Sequence, residues 1–76
     1  MKKIDEMFVF VAVDEDGDEG IPAISEGMFM LPLIGEDMDR VKSLMEVAQE
    51  MANRSQRSMK ILRFSQAEQI GEVNPQ

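Results

Sequence analysis

The clearest periodic pattern in the chain lies between residues 38 and 52, where apolar side chains recur at intervals of three and four. The apolar positions of this segment are Met38, Val41, Leu44, Met45, Ala48, Met51 and Ala52. Apart from Val47, polar and charged residues occupy the remaining positions, so the spacing predicts an amphipathic helix with one buried face. We place this helix from Asp37 to Ser55. Acids at its start and Arg54 near its end suit the two ends of the helix dipole.

A second pattern precedes the helix. Residues 7–13 (MFVFVAV) are apolar at every position and rich in β-branched and aromatic side chains, which predicts a central strand covered on both faces. Shorter segments at 21–25, 28–34 and 59–64 predict further strands, the second of them interrupted by Pro32. Asp16-Gly17 and Glu26-Gly27 are turn signals, because glycine tolerates a positive φ.

These elements predict a single α+β domain over residues 1–76. The order is β-β-β-α-β, or ββαβ if residues 21–34 form one bent strand, with one helix packed on a small mixed sheet. The strand–helix–strand segment predicts a right-handed crossover between parallel strands. Ser65-Gln66-Ala67-Glu68 has the pattern of a capping box and predicts a short terminal helix that ends at Gly71. Residues 72–76 are expected to form a loose tail.

One helix can cover only one face of the sheet, yet the first strand is apolar on both. Phe8, Phe10 and Ala12 point to one side, and Met7, Val9, Val11 and Val13 to the other. Domains of this size are usually stabilised by a disulfide, a metal or a partner subunit. The sequence therefore predicts a homo-oligomer, in the first instance a dimer, that buries the second face. The candidate interface residues are Phe8, Phe10, Met28 and Met30.

The amino-acid composition excludes several kinds of functional site. The chain has 76 residues with 8 Lys and Arg, 15 Asp and Glu, and no His or Cys, for a net charge of −7. Disulfides, Cys/His zinc sites and His-based catalysis are excluded, so we expect neither an enzyme nor a cofactor. Duplex nucleic acid is not expected as a partner, because its phosphates would be repelled. The sequence shows neither a leader peptide nor a membrane span, so we expect a cytoplasmic location.

The acidic segment 14–20 (DEDGDEG) is a candidate metal site. Asp14, Asp16 and Asp18 alternate as the first ligands of a calcium loop do. The sixth and twelfth positions of such a loop should be Gly and Glu, and here they are Glu19 and Ser25. A solvated hairpin turn that uses Asp and Gly for its geometry is therefore the favoured interpretation.

Charge is distributed unevenly along the chain. The residues before Arg40 include eleven acids and two bases, a charge of −9, whereas the rest carries six bases and four acids, a charge of +2. The candidate anion-binding residues form a basic strip near the end of the chain: Arg54, Arg57, Lys60 and Arg63. Phosphate or nucleotide binding there is one alternative. Dipole-complementing residues, or contact with the acidic loop of a neighbouring copy, are the others.

Taken together, these features favour a small acidic interaction or regulatory protein that works without catalysis and as a homo-oligomer, with a protein as its possible partner. Small-ligand or anion binding at the basic strip, and weak Ca²⁺ binding by the acidic loop, are the alternatives.

Overall fold

A computed structural model describes residues 3–76, apart from the side chain of Glu26. Its elements in chain order are β1 (Glu6–Val13), β2 (Glu19–Gly20), β3 (Ala23–Glu26), β4 (Phe29–Pro32), β5 (Ile34–Gly35), α1 (Met38–Ser55) and β6 (Met59–Ser65). Within these described residues, two small sheets with one long helix confirm the predicted α+β class. The predicted third strand is divided into β4 and β5 at Leu33, directly after Pro32.

The main sheet is built around β1. Strand β6 pairs antiparallel with β1 along one edge, from Glu6–Ser65 to Ala12–Met59. The other edge is shared by β2 and β5, which pair antiparallel with opposite ends of β1. Because β5 and β6 both run antiparallel to β1, they are parallel to each other, as the sequence predicted for the strands that flank the helix. The sequence did not predict that β1 lies between them.

The core lies between α1 and one face of this sheet. Its buried members are Phe8, Phe10, Leu33, Val41, Leu44 and Ala48. Leu33 is fully buried and is fixed by two backbone hydrogen bonds: its carbonyl accepts from the Phe10 N–H at 3.1 Å, and its own N–H donates to the Pro22 carbonyl at 3.0 Å. Leu33 therefore joins β1 to the segment that enters the β3–β4 hairpin.

Both ends of α1 are capped as its sequence requires. The Asp37 carboxylate accepts a hydrogen bond from the Arg40 N–H at 2.8 Å, which satisfies a donor of the first turn. Gln56 adopts a left-handed conformation, with φ of 56°, and its N–H donates to the Ala52 carbonyl. The predicted helix from Asp37 to Ser55 is thus confirmed within one residue. No helix in the described part of the chain is long and apolar enough to cross a membrane.

The predicted helix at the C-terminus is wrong. Ser65 is the last residue of β6, where it pairs with Glu6, and no helix follows it in the described part of the chain. Gln66 has a φ of 65°, which turns the chain out of the strand. Residues 66–76 form no regular secondary structure, and Ile70 and Val73 are almost fully exposed. A short helix with no apolar face to bury is not stable in water, whatever its capping pattern.

The two faces of β1 are both largely buried within one chain. Phe8 and Phe10 pack beneath α1, with exposed fractions of 7% and 1%, so the prediction that they form an oligomer interface does not hold. On the face away from the helix, Val9 lies between its cross-strand neighbours Ile34 and Leu62 and is also buried. We call this second surface the open sheet face: Met7, Val9, Val11, Leu62 and Phe64.

Candidate functional site

The β3–β4 hairpin stands apart from the main sheet. Its two strands pair only with each other, from Ala23–Pro32 to Glu26–Phe29, and form a separate two-stranded sheet. We call residues 23–32 the hairpin arm. Gly27 and Met28 connect its strands, and of these two only Gly27 has a positive φ, at 62°. This is the geometry of a type II′ turn, in which glycine takes the first central position.

The end of the hairpin arm is apolar and exposed. Met28, Phe29 and Met30 are 97%, 73% and 65% exposed, respectively. At the base of the arm, Ile24 packs against the core, so the arm is attached to the domain through an apolar contact. Isolated exposed apolar residues are common, but a contiguous group of large ones is typical of an interaction surface. Met28 and Met30 are thus the two predicted interface residues that the structure does leave exposed.

The overall dimensions agree with a projecting arm. The Cα radius of gyration is 14.5 Å, and the longest extent is 43 Å against 29 and 28 Å in the other directions. A compact domain of this length is expected to have a radius of gyration of about 11 Å. The chain therefore leaves a larger share of its residues away from its centre than a compact domain does.

A groove lies between α1 and β6 on the helix side of the sheet. It has a volume of about 430 Å³. Its lining is apolar at Phe10, Met45, Ala48, Ala52, Met59 and Ile61, and polar at Gln49, Asn53, Gln56, Arg57 and Ser58. It exists because α1 packs over β1 and β5 and leaves much of β6 uncovered. Ala48 and Ala52 lie one helical turn apart on this side of α1, and their small side chains leave space between the helix and β6. We call this feature the α1–β6 groove.

The acidic loop closes the β1–β2 hairpin. Asp14 Oδ1 accepts hydrogen bonds from the N–H groups of Asp16 and Asp18, both at 2.9 Å, and Gly17 supplies a φ of 87°. The three predicted ligands do come together, with one carboxylate oxygen from each within 4.8 Å of the others, and all are exposed. The local hydrogen bonds account for this clustering, because Asp side chains commonly stabilise turns in this way.

The basic strip is neutralised largely by acids of its own chain. Arg57 pairs with Glu15 at 3.0 Å, and Lys60 pairs with Glu19. These contacts link the end of α1 and the start of β6 to the acidic hairpin. A contact between the basic strip and the acidic loop, predicted between neighbouring copies, thus forms within one chain.

The other two members of the strip differ from each other. Arg54 pairs with Glu50 at 3.0 Å, one helical turn away. For Arg63, no ion pair is found within the described part of the chain. The four basic side chains therefore do not converge on one anion site.

Comparisons with known proteins give no identification. No family model, no curated protein and no solved structure matches this chain.

The strongest candidate site is therefore the apolar hairpin arm together with the partly apolar α1–β6 groove. Sequence reasoning identified Met28 and Met30 of the arm but missed the groove. A signal for the groove was present: Ala48 and Ala52 are the smallest residues on the apolar face of α1. Among the side chains that the structure describes, no polar or charged one is buried.

Proposed function

We propose that this chain is a small non-enzymatic interaction protein that acts as a homo-oligomer. The observation that supports the proposal most directly is the exposed apolar end of the hairpin arm, at Met28, Phe29 and Met30. Taking roughly 200 Å² for each large apolar side chain, the exposed part of residues 28–31 amounts to roughly 500 Å². Side chains alternate between the two faces of a strand, so one face of the arm together with Met28 presents roughly 300–400 Å². That is within the range of the largest apolar patch on a typical monomer, and such patches are often functional.

The surroundings of the acidic groups favour binding over catalysis. A catalytic carboxylate usually lies in a partly closed pocket with a second titratable group placed against it. Here none of the described acidic side chains is buried, and most of them are exposed. An interaction protein needs no such pocket.

The anion-binding alternative receives less support from the geometry. An anion at the basic strip would compete with Glu15 for Arg57 and with Glu19 for Lys60. Each such exchange gains little, because one exposed ion pair replaces another.

Light scattering coupled to size exclusion tests the proposal. The wild-type chain should elute with a mass of at least two chains, and the mass should fall on dilution if the assembly is reversible. A mass of one chain at every concentration would refute the homo-oligomer.

A further inference from the structure

We propose that the end of the hairpin arm inserts into the α1–β6 groove of a second copy, and that the second copy returns the contact. Two copies then close a two-fold dimer through two identical arm-to-groove contacts. Closure matters because a head-to-tail contact that does not close produces open filaments. This assignment rests on the proposed homo-oligomer and specifies which surfaces meet within it.

The two surfaces match in chemistry and size. The arm presents a flexible, polarisable group in Met28 and Met30 beside one aromatic ring, Phe29, and methionine adapts well to irregular apolar sites. The groove is lined in about equal parts by apolar and polar residues and has a volume of about 430 Å³. That volume lies in the range of sites that bind small molecules, and it leaves room for the Phe29 ring and a methionine side chain.

The combined area is close to what a stable dimer needs. In addition to the roughly 400 Å² that one face of the arm presents with Met28, the half-exposed groove residues Met45 and Ile61 add roughly 200 Å². Each protomer contributes one arm and one groove, and therefore about 600 Å² of apolar surface. Standard interfaces bury about 800 Å² from each partner, polar area included.

The charges are also complementary. Glu26 is the only charged residue between positions 21 and 34. Arg63 is on the same face of β6 as Ile61, beside the groove, and it has no ion pair within the described part of the chain. The sequence of the arm therefore carries a net negative charge and the groove side of β6 carries Arg63, which favours this docking over a contact between two arms of like charge.

The open sheet face is the rival interface. It offers less apolar area to a second copy, because Val9 and Val11 are already 3% and 6% exposed within one chain. Met7 and Phe64 remain more exposed, at 37% and 52%. An interface on the open sheet face would depend on Phe64, whereas the arm-to-groove contact depends on Phe29. The two phenylalanines therefore form a matched pair for the test.

The first experiment compares Phe29→Glu with Phe64→Glu by light scattering, with circular dichroism to establish that both variants fold. Both side chains are at least half exposed, so neither substitution places a charge in the core. Phe29→Glu should reduce the mass to that of one chain, and Met45→Glu in the groove should do the same. Phe64→Glu should leave the wild-type mass unchanged.

The second experiment uses the absence of cysteine from the chain. A Met30→Cys variant is mixed with a mass-tagged Met45→Cys variant and oxidised with oxidised glutathione. A docked arm raises the local thiol concentration, so disulfide-linked heterodimers should form at least about tenfold faster than in a Phe64→Cys and Met45→Cys mixture. This readout does not depend on charge and detects the contact even if it is weak.

The possible outcomes distinguish the homo-oligomer from the arm-to-groove contact within it. Wild-type dimers that survive Phe29→Glu and Met45→Glu but dissociate with Phe64→Glu would overturn the arm-to-groove contact and leave the homo-oligomer intact. Equal crosslinking rates in the two cysteine mixtures would also overturn it. A wild-type chain that is monomeric at every concentration would refute the homo-oligomer on which the contact rests.

Discussion

Two phenylalanines on opposite faces of the sheet test the assignment of the core. Phe10 is 1% exposed beneath α1, whereas Phe64 is 52% exposed on the open sheet face. Truncation of a fully buried phenylalanine to alanine costs about 3–5 kcal/mol. Because about half of Phe64 is already in water, its truncation should cost about half as much, or about 1.5–2.5 kcal/mol.

These costs are large for a chain of this length. At about 0.05–0.15 kcal/mol per residue, the expected free energy of unfolding is about 4–11 kcal/mol. Phe10→Ala therefore removes much of the stability, and Phe64→Ala leaves a folded protein. Urea unfolding followed by far-UV circular dichroism measures both. With a slope of about 1 kcal/mol per molar urea, the midpoints should fall by about 3–5 M and about 1.5–2.5 M.

The relative costs of Phe64→Ala and Phe10→Ala show which face of the sheet is covered. If Phe64→Ala costs as much as Phe10→Ala, the open sheet face is covered as completely as the helix face. A cost for Phe64→Ala that grows with protein concentration would identify a second copy as the cover. Either result would contradict the interface proposed above.

Three further predictions concern local structure and use the same urea assay. Asp37→Ala should lower the free energy of unfolding by about 1 kcal/mol, because the carboxylate that accepts the Arg40 N–H is lost, whereas Asp37→Ser should lower it much less. An equal loss in both variants would contradict a capping role. Gly27→Ala should lower the free energy of unfolding by about 1–2 kcal/mol, because the backbone φ is 62° at this position. Gly20→Ala, which lies in open space without a positive φ, should lower it less, and the reverse order would contradict the turn geometry. Removal of residues 66–76 should change the free energy of unfolding by less than about 0.5 kcal/mol, since they bury no side chain, and a larger loss would reveal a contact with another copy.

The sequence was most informative where a pattern was long and consistent. The apolar period from Val41 to Ala52 predicted α1, and Asp37 was placed at its start, where it acts as the cap. The uninterrupted apolar run that begins at Met7 predicted β1 as the central strand of the sheet. Patterns of this length bury a face or a whole strand, so tertiary packing reinforces them.

Short signals were less reliable because neighbouring strands decided their outcome. The capping pattern at Ser65 was overridden by the pairing of Ser65 with Glu6. Alternation correctly placed Phe8 and Phe10 on one face of β1, but it could not show which face α1 would cover. The intrachain pairs of Arg57 and Lys60 join residues more than 40 positions apart, and no local pattern predicts such a contact.

The central claim is that this chain assembles with itself, and the most direct measurement is the molar mass in solution by light scattering over a range of concentrations. A homodimer built on the arm-to-groove contact should have a mass of two chains for the wild type, and of one chain for Phe29→Glu under the same conditions. A wild-type mass of one chain at every concentration would contradict it.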